Sequence, residues 1–260
     1  MKLTSIADLE NYSRTEVEGA VSAISPKAEL LAFLETLNDP EVARAHAETQ
    51  RRRARRMLES EYKERETFRI EPSSIHGCVR KLWYQVIGEE KKDRIPPKLR
   101  CTFDHGTAAH EMLQAWYETM WGWETGFTDE CRIVIDDLFI SGSTDGLRTT
   151  PDFRYLLEFK TIHDKGFTGL AGKPVPYHPK QLHCYMKGMD TPFGFIIYYN
   201  KDKDTMLEFP VIFSPTFWET SIENRCQIVL DADEDGPQGD PKSRWDCKFC
   251  NYSHLCPHKR

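Results

Sequence analysis

The chain has 260 residues, with apolar side chains at 39% and charged ones at 29%, a balance that excludes a disordered polymer and fits one folded domain with an appendage, or two small domains. With 35 basic and 41 acidic residues the formal net charge is −6, which argues against a chain that coats nucleic acid through bulk charge. There is no apolar run of about 18 residues to span a bilayer. The first ten residues meet acidic groups before an apolar segment forms, so no signal peptide is expected and a cytoplasmic setting is.

Residues 1–66 read as a helical region. Residues 41–66 lack Gly and Pro and are rich in Ala, Arg, Glu and Leu, all good helix formers. Asp39 and Pro40 supply the cap and the first helical position. The apolar stripe is thin (Val42, Ala45, Met57, Leu58, Tyr62), so this helix is expected to rest on the surface of something larger. Arg51, Arg52, Arg53, Arg55 and Arg56 concentrate positive charge on it and read as a solvated face, with steering of a polyanion as the alternative.

A core of residues 67–246 follows. Residues 78–84 mix aromatic and basic side chains and read as a short helix, and a charged connector follows at 89–98. A second helix opens at His105, with Ala109, Leu113, Trp116 and Met120 on its buried stripe and His110 at the border. Residues 132–135, 138–147 and 155–160 are strand candidates in an antiparallel meander, turning at Asp136-Asp137 and Pro151-Asp152. A Pro- and Gly-rich loop (166–179) leads to a helix from Pro179. A strand pair at 193–199 and 206–213 and a helix at 215–230 come next. An acidic linker then reaches a cysteine-rich tail, 247–260. The order predicts an α/β class with a mixed sheet.

Pairing residues 155–160 with 141–147 around Pro151-Asp152 sets Asp145 opposite Glu158, and Ser143 opposite Lys160, on one face of the sheet. Opposed carboxylates repel, so stability alone does not favour them. A hard divalent cation, Mg²⁺ or Mn²⁺, turns the repulsion into coordination. Such an ion acidifies a bound water, and Lys160 stands where it can stabilise a charged phosphate. A surface ion pair is the plainer reading of Glu158-x-Lys160. Against it, Leu156, Leu157 and Phe159 mark a buried strand, where charged residues are uncommon.

The order Gly106-x-x-x-His110, Asp145-Gly146, Glu158-x-Lys160 and Gln181-x-x-x-Tyr185 resembles the motif series of the RecB-like nucleases of the PD-(D/E)xK superfamily, over residues 78–256. The resemblance implies a restriction-endonuclease-like core with an N-terminal helical appendage. It also implies a metal-dependent DNA nuclease, most simply an exonuclease, acting on single strands or free ends in a prokaryotic or phage-infected host cell. It places a metal on His110, Asp145, Glu158 and the main chain of Phe159, gives Lys160 the catalytic role, and sets Gln181 and Tyr185 near the DNA. Arg80 and Lys81 are further candidates to meet it.

Eight cysteines in a reducing compartment point to metal or redox chemistry. Cys247-x2-Cys250-x5-Cys256 places three thiols within reach of one metal centre. Cys78 resembles the isolated upstream cysteine of the AddB nuclease domain and of RecB-like exonucleases associated with CRISPR adaptation. That likeness implies a 4Fe–4S cluster on Cys78, Cys247, Cys250 and Cys256. Zinc, using His254 or His258, is the competing occupant. Cys101, Cys131, Cys184 and Cys226 read as buried small hydrophobes. A DNA-end-binding module without cleavage activity and a nuclease acting on RNA are the alternative functions.

Overall fold

A computed structural model describes residues 1–60, 68–92, 97–123, 125–242, 244–248 and 250–257. Tyr62, the end of the arginine-rich helix and His258 lie outside them. Ten α-helices and seven strands are described: α1 (Arg14–Ser22), α2 (Pro26–Thr36), α3 (Pro40–Ser60), α4 (Val79–Val86), α5 (Pro97–Trp121), β1 (Phe127–Thr128), β2 (Arg132–Ile135), β3 (Ile140–Ser143), β4 (Gly146–Thr149), β5 (Arg154–Ile162), α6 (Asp164–Thr168), α7 (His178–Met189), β6 (Phe193–Asn200), β7 (Thr205–Ile212), α8 (Pro215–Trp218), α9 (Asn224–Leu230) and α10 (Arg244–Lys248). A π turn, Glu219–Glu223, joins α8 to α9. Among the described residues no helix is long and apolar enough to cross a membrane.

Local chemistry sets the helix starts. Ser13 and Glu16 form a capping box at α1, and Ser25 caps α2 ahead of Pro26, so backbone N–H groups that lack helical partners are satisfied by side chains. Asp39 accepts from the N–H of Glu41 (2.8 Å) at the start of α3.

Five strands form a mixed sheet in the order β1-β4-β5-β6-β7. β5 and β6 run parallel and every other neighbour pair is antiparallel. The chain passes from β5 to β6 through α6 and α7, the crossover that a parallel pair requires. Side chains alternate across the sheet. Tyr155, Leu157, Phe159, Phe193, Phe195 and Ile197 face one core with Leu3, Val17, Leu30 and Tyr117. Leu156, Ile196 and Tyr198 face the other, with Leu82, Leu182 and Met186. The N-terminal residues are therefore built into the first core, and Leu3 bridges Phe153 in parallel. β7 forms one edge of the sheet. Glu208 on it takes the N–H of Lys27 (2.8 Å) and the hydroxyl of Ser25 at the start of α2.

The predicted register holds: Gly146 pairs with Leu157 and Thr149 with Arg154. The predicted strand 138–147 does not survive as one strand. β3 pairs with β2 in a separate two-stranded sheet, and only β4 joins β5. The break falls at Thr144-Asp145, where backbone groups bond outside both ladders. The N–H of Thr144 donates to Cys131 (3.0 Å) and the carbonyl of Asp145 accepts from the Gln114 amide (2.8 Å). Ser143 accordingly pairs with Arg132, not with Lys160.

The inner face of α3 also differs from expectation. Ala45 and Leu58 are exposed, whereas Thr49 and Arg53 are buried. Arg53 reaches Glu111 (2.9 Å), Glu118 (3.3 Å) and Asp129, and donates to Gln114 (2.7 Å). Arg56 pairs with Glu118 (2.6 Å) and lies over the Trp123 ring. Arg53 and Arg56 thus form a seam with α5; Arg51 and Arg55 keep the solvated face.

Candidate active site

β4, β5, α5 and α7 bring the predicted residues together where β4 begins. Asp145 sits one residue before the β4–β5 ladder, so its side chain bends over the strand instead of standing in it. One oxygen, Oδ2, accepts from the N–H of Phe159 (2.7 Å), and Oδ1 meets His110 Nδ1 (3.2 Å). On β5, Glu158 shares the face of Leu156, towards α7. Its Oε1 lies 2.6 Å from Lys160 Nζ. Lys160 also donates to Gln181 Oε1 (2.9 Å), and Gln181 Nε2 donates to the hydroxyl of Tyr185 (3.2 Å).

Burial dominates the electrostatics. Glu158 is 2% exposed, and desolvation pushes its pKa up despite the opposing charge of Lys160. Desolvation also acts to raise Asp145, but His110, Lys160 and the Phe159 N–H together hold it below its ordinary value. His110 and Lys160 are each raised: burial disfavours their charge, and the neighbouring carboxylates outweigh it. Two carboxylates, an imidazole and an ammonium group therefore sit within one another's electrostatic reach. Glu158 Oε2 is buried without a hydrogen-bond partner, and a buried carboxylate oxygen left so is costly. The donor set of imidazole, two carboxylates and main chain is the hard N/O type that suits Mg²⁺ or Mn²⁺. Among the described residues, however, no three His, Cys, Asp or Glu side chains stand together as a ready-made ion site.

Gln181 and Tyr185 are 8% and 5% exposed; Gln181 bonds Lys160 and Tyr185 bonds Gln181. Arg80 is buried and donates to the carbonyls of Asp235 (2.8 Å) and Pro237 (3.0 Å) and to the hydroxyl of Tyr84 (3.1 Å). It staples α4 to the acidic linker and is spent there. Lys81, beside it, remains partly exposed. A residue that sequence reading passed over is Gln114, wholly buried one turn after His110 on α5. It holds the carbonyl of Asp145 (2.8 Å) while its own oxygen accepts from Arg53 (2.7 Å). Its i+4 spacing from His110 was the available signal.

The four cysteines singled out by spacing share one neighbourhood. Burial, then the negative charge of Cys78, Cys256 and Cys250, raises the Cys247 thiol, and Cys78 and Cys256 act on Cys250 in the same sense. Cys78 precedes α4, and its Sγ lies against Gly239 so closely that a Cβ there would stand 3.2 Å from the sulfur. Tyr84 stacks on Tyr252 (5.3 Å) and donates to the carbonyl of Leu255 (3.2 Å), tying α4 to the tail. All eight cysteines are free thiols. A soft, all-sulfur donor set fits an iron–sulfur cluster or zinc. Of the remaining cysteines, Cys184 and Cys226 are buried and Cys131 partly so, but Cys101 is exposed on α5.

A mixed five-stranded sheet flanked by helices, with this acidic group beside its central strands, fits an α/β restriction-endonuclease-like core. No family model matches the chain. It is similar to the CRISPR-associated exonuclease Cas4 of Saccharolobus solfataricus, with 25% identity over 122 residues, 46% of this chain and 53% of that protein. The chain thus spans about half the length of the curated relative it matches. Among solved structures it is similar to the protein SSO0001, with a TM-score of 0.49 and 19% identity over 82% of this chain and 95% of the other. It is also similar to an alkaline exonuclease from Laribacter hongkongensis, with a TM-score of 0.49 and 16% identity over 63% of this chain and 87% of the other.

Proposed function

We propose that the chain is a metal-dependent deoxyribonuclease of the PD-(D/E)xK type, an exonuclease acting on single-stranded DNA or free ends, with a 4Fe–4S cluster on Cys78, Cys247, Cys250 and Cys256. The observation that carries the reading is the buried group of Asp145, Glu158 and Lys160, with a Glu158 oxygen left without a partner. Stability does not call for such a group. The local similarity to a protein named an exonuclease agrees with it.

Asp145, Glu158, His110 and the main chain of Phe159 are the groups to hold Mg²⁺ or Mn²⁺. When bound, such an ion supplies charge neutralisation at the phosphate and an acidified water. The chain's own part is to orient and to polarise. The Phe159 N–H fixes Asp145, Gln114 fixes the backbone that carries it, and Gln181 aims Lys160. Lys160, kept cationic by the carboxylates beside it, stabilises charge that develops on the phosphate. Glu158→Ala and Lys160→Ala should each lower cleavage of end-labelled DNA with Mn²⁺ by about a hundredfold or more, while DNA binding in EDTA survives. Undiminished cleavage by both variants would sink the mechanism.

A further inference from the structure

Beside the acidic group stands an aromatic pair that neither core explains. The His76 imidazole lies flat on the Tyr177 ring, with centroids 4.3 Å apart and planes 17° from parallel. Tyr177 is 39% exposed, and neither ring belongs to a hydrophobic core. The loop that carries Tyr177 is pinned rather than loose. Tyr198 Oη accepts from the N–H of Val175 (2.9 Å) and meets His178 Nδ1 (2.5 Å). One turn further along α7, Gln181 contacts Lys160, so the pair flanks the site on the α7 side.

Three lysines from separate segments lie near enough to His76 for their charges to act on it: Lys81 on α4, Lys180 on α7, and Lys242 after the acidic linker. Among the described residues none of the three lysines forms a salt bridge. The nearby Asp240 is already taken by the N–H of Val79 (2.7 Å) and by Arg225 (2.9 Å).

An exposed ring on a half-buried one, with ammonium groups near it that form no salt bridge among the described residues, is a combination that suits an unpaired nucleotide, the ring stacking a base and the cations following phosphates. A duplex hides its base faces within the stack. We propose that His76 and Tyr177, with Lys81, Lys180 and Lys242, form a subsite for an unpaired nucleotide of single-stranded DNA flanking the bond to be cut. The subsite rests on the nuclease reading for its place beside the reaction, but its binding is measured without cleavage.

The test is a fluorescence titration of the full-length, cluster-loaded protein in EDTA, using a single-stranded DNA oligonucleotide that carries 2-aminopurine. Wild type should quench the probe. Tyr177→Ala should lose the quench and bind about tenfold more weakly, whereas Tyr177→Phe should keep both. The Lys180→Gln/Lys242→Gln double variant should reduce the slope of log affinity against log salt by about 1.4. Unchanged binding and quenching by Tyr177→Ala overturns the subsite, as does a matched duplex that binds equally well with the same dependence on Tyr177. Cleavage by wild type with Mn²⁺ is followed separately. Cutting with Tyr177→Ala binding intact removes only the subsite, and no cutting of any strand removes the nuclease reading.

Discussion

His183 shows how one buried side chain sets a pH limit on the fold. It is 3% exposed; its Nδ1 donates to the carbonyl of Pro179 (2.7 Å) and its Nε2 accepts from the N–H of Ser214 (3.2 Å). The bond accepted by Nε2 needs the neutral ring, and burial, outweighing the Pro179 carbonyl, brings its pKa down to about 4. A group depressed on folding contributes stability above its unfolded pKa, near 6.5, and that contribution is lost as pH falls towards 4. About 3 kcal/mol is at stake. Urea unfolding at pH 7 and pH 4.5 should show His183→Gln losing less stability on acidification than wild type; an identical loss would contradict this. Sequence alone placed His183 on a helix and no further, because its partner Ser214 lies beyond β7. By contrast Asp145, Glu158 and Lys160 were legible as neighbours, since strand alternation and the turn at Pro151-Asp152 set their geometry locally, whereas His110 entered only through the resemblance.

Elements meet by rules that sequence periodicity conveys unevenly. The pairing of β4 with β5 was legible because Pro151-Asp152 fixes the turn, whereas the parallel run of β6 beside β5 emerged only with the fold. The face that α3 buries was not legible, because an apolar stripe was sought where charge does the packing. Arg53 is 4% exposed and answers Glu111, Glu118 and Asp129 together. Removing one side of a buried ionic network leaves the other charges without a partner, at a cost of about 3–5 kcal/mol. Arg53→Ala should therefore lower the unfolding midpoint sharply, and adding Glu118→Gln should recover part of the loss. A midpoint within one degree of wild type for the single variant would show that the seam carries no stability. The same substitution frees Gln114, and through it the backbone of Asp145.

Across the whole molecule the two ends are drawn onto the core. Leu3 exchanges backbone bonds with Asp152 (2.8 Å) and Arg154 (2.9 Å), and the cysteine tail returns to α4. If the four thiols hold a cluster, it closes a loop spanning most of the chain, worth about 4–5 kcal/mol by loop-entropy reasoning. Cys78→Ser should then lose iron on anaerobic purification, denature at a lower temperature and become sensitive to protease near α4. Full iron content with unchanged stability would remove Cys78 from the ligand set. The closeness of these thiols was legible only in part. The tail spacing identifies three, whereas Cys78 required either a resemblance or the fold.

The covering of β7 by the start of α2 has a consequence for solubility. An edge strand offers unpaired N–H and C=O groups to any other chain, the template from which sheets grow between molecules. At the opposite edge β1 is only two residues long, too short to nucleate such growth. On β7, Pro210 removes one donor from the strand, and Glu208 is engaged by Ser25 and Lys27. The N-terminal helices therefore do more than fill a core: they stand against an edge strand, and a chain shortened to its sheet and α5 should scatter light as aggregates at concentrations where the full chain does not.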